Sequence, residues 1–203
     1  DPCGELDEKL TYSINHLGRV NVAALAKKAA VKQYILSSSC SVYGSGKSSI
    51  LTEESETRPV STYAKANVKV EEDVLALADN KFIVTALRQA TVFGLSKRMR
   101  FDLAINMMTL NAVQKGRIFV MGGGTQWRPF VHVKDTARAF ILVMDKDPSI
   151  INKQKFNVGG SAQNFNILSL AYVVRENIPF PIDIEVIPDD EDKRDYNVSF
   201  EKI

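Results

Sequence analysis

The amino-acid sequence predicts an α/β fold organised around a parallel β-sheet. Segments with the apolar period of helices alternate along the chain with short apolar runs, the pattern of strand–helix–strand units. One of these runs, residues 82–88 (FIVTALR), is largely apolar, as expected of a parallel strand buried on both faces. The 203 residues suffice for one domain of ordinary size, or for one domain and a small second one.

The first half of the chain contains two helix–strand units. Apolar side chains recur near the helical period over residues 5–30, which predicts a helix, and an apolar run predicts a strand over residues 34–38. Residues 44–61 are rich in Gly, Ser, Thr and Glu, which predicts a loop. A second helix is predicted over residues 62–79, leading into the strand at 82–88. This order corresponds to the second half of a Rossmann-like, doubly wound parallel sheet.

The character of the chain changes after Gly94, where shorter elements follow one another. Residues 199–203 are predicted to lie in a last helix that the chain does not complete. The other predicted elements are a helix at 101–115, a strand at 118–121, a turn at 122–124, a strand at 130–133, a helix at 134–145, a strand at 155–160, a helix at 167–176 and a strand at 182–187.

Composition argues against several classes of partner. The net charge is +2 and the basic runs are short, so no nucleic-acid-binding footprint is present. No apolar stretch approaches the length that a membrane-spanning helix needs, so no membrane partner is expected. The two cysteines, Cys3 and Cys40, form no disulfide framework, which favours a reducing cytoplasm. No metal site is predicted.

Two segments suggest a catalytic site. Residues 37–44 (SSSCSVYG) follow the strand at 34–38, and residues 63–67 (YAKAN) open the next helix. A hydroxyl at the carboxyl end of a strand and a tyrosine on the following helix can meet in the crevice where open α/β sheets bind ligands. Ser39 would then hold a substrate hydroxyl or carbonyl while Tyr63 moves its proton.

These segments resemble the extended short-chain dehydrogenase/reductase family, which includes the nucleotide-sugar epimerases and dehydratases. That family has Ser-Ser-Ser/Thr followed by Val-Tyr-Gly, and then Tyr-x-x-x-Lys. Further similar segments are residues 15–18 (NHLG), 87–94 (LRQATVFG) and 126–135 (QWRPFVHVKD). The resemblance implies NAD as cofactor, a nucleotide sugar as substrate and a homodimer. It also implies that residues 1–94 are the remainder of the NAD-binding domain and that 95–203 are mainly a substrate-binding domain, with 126–147 returning to the main sheet.

The resemblance also assigns roles to individual residues. The catalytic positions are Ser39, Tyr63 and Asn67. The expected cofactor contacts are Asn15, Ser37, Tyr63, Asn67, Gln89 and Ala90. The expected substrate contacts are Ser41, Thr91, Arg128 and Arg194.

Asn67 departs from the family pattern, which has lysine at this position. An ordinary tyrosine has a pKa of about 10 and is a poor base at neutral pH. The lysine of the family lowers that pKa by its charge and holds the cofactor ribose. Asn67 has the right spacing from Tyr63 and could still bond ribose hydroxyls, but it carries no charge, and Lys65 points away on a helix. The chain is therefore either an inactive variant or an enzyme whose tyrosine is activated in another way.

A second departure is the absence of any Gly-x-Gly-x-x-Gly or Gly-x-x-Gly-x-x-Gly turn, the usual pyrophosphate site at the start of such a fold. We expect the chain to be part of a longer protein, although a natural short protein is the alternative.

The sequence favours epimerisation at C4 of a nucleotide sugar, through a transient keto sugar and with tightly held NAD. Dehydratases of this family have two acids in the loop where this chain has Ser39, Cys40 and Ser41. The alternatives are an NAD(P)-dependent keto-sugar reductase or dehydratase, and a non-catalytic relative that binds a nucleotide.

Overall fold

The structure is a computed structural model that describes residues 2–188 and 194–203. Strands and helices alternate along these residues. The strands are β1 (Gln33–Ser39), β2 (Ser45–Leu51), β3 (Ile83–Gln89), β4 (Thr91–Phe93), β5 (Arg117–Met121), β6 (Trp127–His132), β7 (Gln154–Val158), β8 (Asn164–Asn166), β9 (Asp183–Ile187) and β10 (Asp195–Val198). The helices are α1 (Pro2–Glu5), α2 (Glu8–Tyr12), α3 (Arg19–Lys28), α4 (Thr62–Ala76), α5 (Ala104–Lys115), α6 (Val133–Met144), α7 (Pro148–Ile151) and α8 (Ile167–Glu176).

The central sheet is parallel and has the strand order β1-β3-β7. Alternate side chains of β3 enter two separate apolar cores. Val84 and Ala86 pack with Val74 of α4 on one face, whereas Leu87 packs with Val143 of α6 on the other. A parallel sheet covered on both faces is the arrangement that the alternating pattern and the apolar run at 82–88 predict.

Among the described residues three further sheets accompany the central one: β2 with β10, β4 with β6 and β8, and β5 with β9. The strand β2 corrects the sequence analysis, which predicted a loop over residues 44–61. Its sequence, SGKSSIL, has little strand character. It becomes a strand because it pairs in parallel with β10, far along the chain, a contact that local sequence does not reveal.

The first predicted helix is divided in the structure. Asp7 separates α1 from α2 and caps α2 by accepting a hydrogen bond from the amide of Leu10, at 2.9 Å. The helical path then runs without interruption from Glu8 to Lys28, but its middle, Ser13–Gly18, is wound as a π-helix. This wider winding inserts about one extra residue into the helix and is frequent at functional sites.

The predicted last helix is wrong, because residues 199–203 are not helical. The amide of Ser199 donates to the carbonyl of Leu51 at 2.8 Å, which continues the pairing of β10 with β2. Phe200 is buried in the core that also holds Leu87. The extended backbone allows the contact with β2, because the amide of Ser199 is not used in a helical hydrogen bond and can pair with Leu51.

The segment 126–147 contacts the main sheet by packing, whereas its strand pairs elsewhere. β6 lies between β4 and β8, and the third strand of the central sheet is β7. The helix α6 nevertheless shares a core with β3, and the Gln33 amide of β1 donates to the carbonyl of Val143 at 3.1 Å. The division of the chain into two domains at residue 94 stays a prediction.

Within the described part of the chain, no helix combines the length and apolar character needed to cross a membrane.

Candidate active site

A cleft of about 780 Å³ opens at the carboxyl ends of β1 and β3. Because these strands are parallel, the residues that end them lie at one edge of the sheet. Helices α4 and α5 and the π-helical turn contribute further walls. The predicted site residues that line this cleft are Asn15, Ser37, Ser39, Ser41, Tyr63, Gln89, Ala90, Thr91, Arg128 and Arg194.

A tight turn positions the serines. The hydroxyl of Ser39 accepts a hydrogen bond from the amide of Ser41 at 3.2 Å and so caps a short 3₁₀ turn, Cys40–Tyr43. Gly44 ends this turn with a positive φ of 59°. A Cβ on Gly44 would come within 1.9 Å of the Arg58 carbonyl oxygen, so only glycine fits there. The glycine of the Val-Tyr-Gly segment is therefore required for the turn that brings Ser39 and Ser41 to the cleft.

The serine hydroxyls differ in their partners. Ser37 Oγ accepts from the Gln89 amide at 2.5 Å, which ties the ends of β1 and β3 together. Ser41 is 3% exposed, and its Oγ has no hydrogen-bond partner among the described residues. Burying an unpaired hydroxyl is unfavourable. The Ser41 hydroxyl therefore suits a contact with a bound ligand.

A buried ion pair supports the floor beneath the serines. Arg88 Nη2 donates to Glu71 Oε2 at 2.7 Å, and the Ser38 hydroxyl donates to Glu71 Oε1 at 2.5 Å. Burial opposes the charge of Arg88, but the hydrogen bonds and charge of Glu71 outweigh this and hold the pKa of Arg88 above its usual value. Arg88 also donates to the Tyr43 hydroxyl at 2.9 Å, and burial raises the pKa of Tyr43 to about 12. The pair joins β1, β3 and α4 behind the cleft.

Cys40 is excluded from the chemistry of the cleft. Its side chain is 1% exposed, and its thiol contacts the Arg88 carbonyl oxygen at 3.2 Å. Burial raises the pKa of the Cys40 thiol far above the usual value. The residue between the two serines is therefore neutral and faces the core.

Tyr63 lies in the first turn of α4, where Ser61 caps the helix by accepting from the amide of Ala64 at 3.1 Å. This capped start aims the tyrosine into the cleft, which Ser39 and Asn15 also line. Lys65, two residues on, is exposed and does not line the cleft. The structure thus brings together the hydroxyl and the phenol that the sequence analysis paired.

Asn67 is the predicted site residue that the structure places elsewhere. Its side chain is 0% exposed and does not line the cleft. Its amide nitrogen donates to the Tyr63 carbonyl oxygen at 3.0 Å, and its amide oxygen accepts from Arg19 Nη1 at 2.8 Å. A direct contact with a cofactor ribose stays a prediction that this burial does not support.

Arg19, which the sequence analysis did not single out, lies next to the site but does not line the cleft. Besides Asn67, its guanidinium donates to the carbonyl oxygens of Ser37 and of Asn15. Burial lowers the pKa of Arg19, whereas the charges of Tyr63, Tyr34 and Glu71 act in the opposite direction. The sequence feature that could have indicated Arg19 is its position directly after the Asn-x-x-Gly segment at residues 15–18.

The other part of the cleft is positively charged. Arg128 is 5% exposed, donates to the Trp127 carbonyl at 2.7 Å and lies over the Tyr196 ring, 5.5 Å from its centre. Arg194 and Arg100 line the same cleft. Arg100 was not singled out from the sequence, and it binds Asp102 at 2.5 Å, which holds the pKa of that carboxyl below its usual value. Three cations and one anion thus line the described cleft, a charge suited to phosphate groups.

Comparison with known proteins places this geometry in a family. Residues 4–159 match the NAD dependent epimerase/dehydratase family. The chain belongs to this family. Its members are NAD-dependent enzymes, and the matched residues include the serine segment, Tyr63 and the β3 strand.

The curated relatives in this family catalyse several reactions. Sterol-4-alpha-carboxylate 3-dehydrogenase, decarboxylating, of Bos taurus is 28% identical over 145 residues, 68% of this chain and 39% of the relative. UDP-glucuronic acid decarboxylase 1 of Arabidopsis thaliana is 28% identical over 200 residues, 93% of this chain and 44% of the relative. UDP-glucose 4-epimerase of Bacillus subtilis is 25% identical over 176 residues, which are 78% of this chain and 52% of the relative. The chain thus spans about half or less of these relatives.

Solved structures of two enzymes share the fold. The dTDP-glucose 4,6-dehydratase of Streptomyces venezuelae, with NAD and TYD bound, has a TM-score of 0.85 at 21% identity, covering 100% of this chain and 62% of that one. The UDP-glucose 4-epimerase of Thermotoga maritima, with UDP-glucose, has a TM-score of 0.84 at 22% identity, covering 99% of this chain and 65% of that one. The predicted Rossmann-like α/β fold is confirmed.

Proposed function

We propose that this chain provides the catalytic centre of an NAD-dependent enzyme that epimerises C4 of a nucleotide sugar. The observation that carries the proposal is the composition of one cleft. A hydroxyl and a phenol suited to proton transfer, Ser39 and Tyr63, lie in the same cleft as Arg100, Arg128 and Arg194. Proton transfer and diphosphate binding in one cleft are what a nucleotide-sugar substrate requires.

The cleft fits the nicotinamide end of NAD. Its wall at the ends of β1 and β3 carries Asn15, Ser37, Gln89 and Ala90. These groups present amide and hydroxyl partners beside a small apolar surface. The chemistry that NAD supplies when bound is the reversible acceptance of a hydride.

The proposed reaction gives a role to each polar side chain of the cleft. Ser39 would donate a hydrogen bond to the oxygen on C4, and Tyr63 would accept the proton of that hydroxyl, while bound NAD would supply the acceptor for the C4 hydrogen and its electron pair, so that a keto sugar results. After the keto sugar has turned in the cleft, the same hydrogen and electron pair would be returned from NAD to the other face of C4, and Tyr63 would give its proton back to the same oxygen. Ser41, whose hydroxyl has no partner in the part of the chain that the structure describes, and Thr91 would hold the sugar.

Arg128 is the best candidate for the diphosphate. Its position against Tyr196 holds a planar guanidinium in the cleft wall, and a guanidinium forms paired hydrogen bonds to phosphate oxygens. Arg194 lines the same cleft and would contribute a second phosphate contact.

Loss of water, the dehydratase reaction, is less well supported. It requires an acid and a base near C5 and C6, and the cleft segment Ser39–Cys40–Ser41 offers two hydroxyls and a buried neutral thiol. A keto-sugar reductase would use the same Ser39 and Tyr63, so it is the second enzyme candidate. A homodimer and a cytoplasmic location stay predictions.

The test is an NMR assay of the interconversion of UDP-galactose and UDP-glucose by the purified protein with NAD, repeated with the dTDP sugars. Tyr63→Phe removes only the phenolic oxygen and should lower turnover by about 10²–10⁴-fold, the range of general acid–base catalysis. Tyr172→Phe, at a half-exposed position on α8, is the matched control and should leave turnover unchanged.

The outcomes separate the candidates. One-way reduction of a keto sugar with NADH or NADPH would favour the reductase. Tight binding of nucleotide sugars without turnover would favour the non-catalytic relative. Unchanged epimerisation by Tyr63→Phe would contradict the assigned mechanism.

A further inference from the structure

We propose that Asp102 competes with the phosphate groups of a bound nucleotide for the guanidinium of Arg100, and that it thereby weakens the binding of more highly charged nucleotides. The inference rests on the proposed function, because it takes a nucleotide with a diphosphate as the ligand of the cleft. Asp102 is then a residue that determines specificity: it distinguishes nucleotides by their charge and takes no part in the proton transfer at C4.

Arg100 and Asp102 meet across a short turn in the wall of the cleft. The amide of Leu103 donates to the carbonyl of Arg100 at 3.4 Å, which closes the turn, and both charged side chains line the cleft. Arg100 Nη2 donates to Asp102 Oδ2 at 2.5 Å, and Arg100 Nε donates to Asp102 Oδ1 at 3.2 Å. The carboxylate thus occupies a pair of donors of the kind that binds two phosphate oxygens side by side. A phosphate that takes this edge of the guanidinium must displace Asp102.

The backbone that carries the pair is held by a buried side chain. Asn106 of α5 is 7% exposed, and its amide nitrogen donates to the carbonyl of Arg100 at 3.0 Å. Its amide oxygen accepts from the amide of Gly94 at 3.4 Å. Both ends of the loop between β4 and the turn are therefore tied to α5. An exchange of partners at Arg100 then requires only a rotation of side chains, and the loop stays in place.

Arg100 differs in this respect from the other described arginine whose position is fixed. Arg128 is buried and lies against the Tyr196 ring. The side chains of Arg100 and Asp102 are instead 57% and 49% exposed. An exposed ion pair is weak, so an incoming phosphate can replace the carboxylate. Arg128 is thus a permanent part of the cleft wall, whereas Arg100 binds a ligand only after it has released Asp102.

The released carboxylate remains in the cleft as a negative charge. Hydrogen bonding to Arg100 holds the pKa of Asp102 below its usual value, and even an ordinary aspartate is ionised at neutral pH. Its repulsion of a ligand increases with the negative charge of that ligand.

This repulsion distinguishes two classes of nucleotide. In a nucleotide sugar both phosphates are esterified, and each carries one negative charge. In a free nucleoside diphosphate the terminal phosphate ionises a second time near pH 6 and so carries one charge more. Asp102 therefore disfavours the free nucleoside diphosphate, which lacks the sugar on which Ser39 and Tyr63 would act, more than it disfavours the nucleotide sugar.

The test is calorimetric titration of the intact protein with UDP-glucose and with UDP at about pH 8, where the terminal phosphate of UDP is doubly ionised. Asp102→Asn removes the charge and nearly keeps the shape. It should lower the dissociation constant of UDP-glucose by about two- to fivefold, the range of an exposed ion pair. The dissociation constant of UDP should fall by at least about twice that factor, because UDP carries the additional charge.

Three further variants separate the competition from other effects. Arg100→Gln should weaken the binding of both ligands by about threefold or more, because a contact with phosphate is lost. Asp102→Glu keeps the charge and should bind neither ligand more tightly than the intact protein does. Asp135→Asn is the matched control: Asp135 pairs with Arg138 at 2.8 Å, is 50% exposed and does not line this cleft. It changes the net charge equally and should leave both dissociation constants unchanged.

Unchanged or weaker binding by Asp102→Asn would overturn the proposal, since weaker binding would mean that Asp102 orients Arg100 for the ligand. Equal gains for UDP and UDP-glucose, or full affinity in Arg100→Gln, would also overturn it. The measurement needs no turnover, so tighter binding by Asp102→Asn beside absent epimerisation would reject the proposed reaction alone. Normal epimerisation beside unchanged binding would reject this inference alone, and an intact protein that binds neither ligand would reject both.

Discussion

The buried pair of Arg88 and Glu71 gives the sharpest prediction about stability. Both side chains are 2% exposed, and three hydrogen bonds of 2.7, 3.0 and 3.2 Å join them. Replacing Glu71 by Gln, or Arg88 by Met, leaves the remaining charge buried and unpaired, which typically costs about 3–5 kcal/mol. For a chain of this size each kcal/mol moves the melting temperature by about 2–4 °C, so either variant should melt about 6–20 °C lower.

The assay is urea and thermal unfolding of both single variants and of the double variant Glu71→Leu with Arg88→Met. The double variant should recover most of the loss because no buried charge remains, but not all, since the Ser38 hydroxyl loses its acceptor. Arg58→Met is the matched control: its pair with Glu56 is exposed, with side-chain exposures of 64% and 73%, and should contribute less than about 1 kcal/mol. Single variants as stable as Arg58→Met would refute the reasoning.

Three further predictions concern the site and the pH dependence of folding. Asn67→Lys should lower the free energy of unfolding, measured in urea, by about 4 kcal/mol, because it places two positive charges about 4 Å apart at a partly buried site. Adding Arg19→Gln should remove this repulsion and restore the stability. An Asn67→Lys variant as stable as the intact protein would contradict the prediction. Arg128→Ala should weaken the binding of UDP-glucose at least tenfold in calorimetry and leave NAD binding unchanged, with Arg128→Lys recovering only part, whereas equal binding would argue against a diphosphate substrate. Hydrogen bonding to Lys27 lowers the pKa of Asp79 to about 2, so its contribution to stability is complete above its usual pKa of 3.8 and lost as the pH falls through about 2. The difference in urea midpoint between the intact protein and Asp79→Asn should therefore shrink between these two pH values, and a constant difference would be evidence against the shift.

The parts of the fold that the sequence predicted are those with a local signal. The helices α4, α6 and α8 and the strands β1 and β3 carry an apolar period or an apolar run, and their predicted ends lie within about three residues of the observed ones. The strands β2 and β10 carry no such signal because each exists through pairing with the other.

The candidate site shows the same contrast. Serines after a strand and a tyrosine at a helix start could be placed in one cleft from the order of elements alone. The burial of Asn67 and the contact of Arg19 with it could not, because they depend on how two helices meet, at residues 48 positions apart. Asn67 visibly lacks a charge in the sequence, but only the packing of α3 against α4 reveals a cation beside it.

The π-helical turn at Ser13–Gly18 determines which side chains reach this contact. An α-helix advances about 100° per residue, so one additional residue in a turn rotates everything that follows it by roughly that angle. Asn15 lies within the turn and Arg19 directly after it. With one residue fewer between Ser13 and Gly18, the helix would wind regularly, and the guanidinium of Arg19 would face away from Asn67. The contact between Arg19 and Asn67 therefore depends on the number of residues in this turn as well as on their identity: a single insertion or deletion there, with no change in either residue, would separate the two side chains.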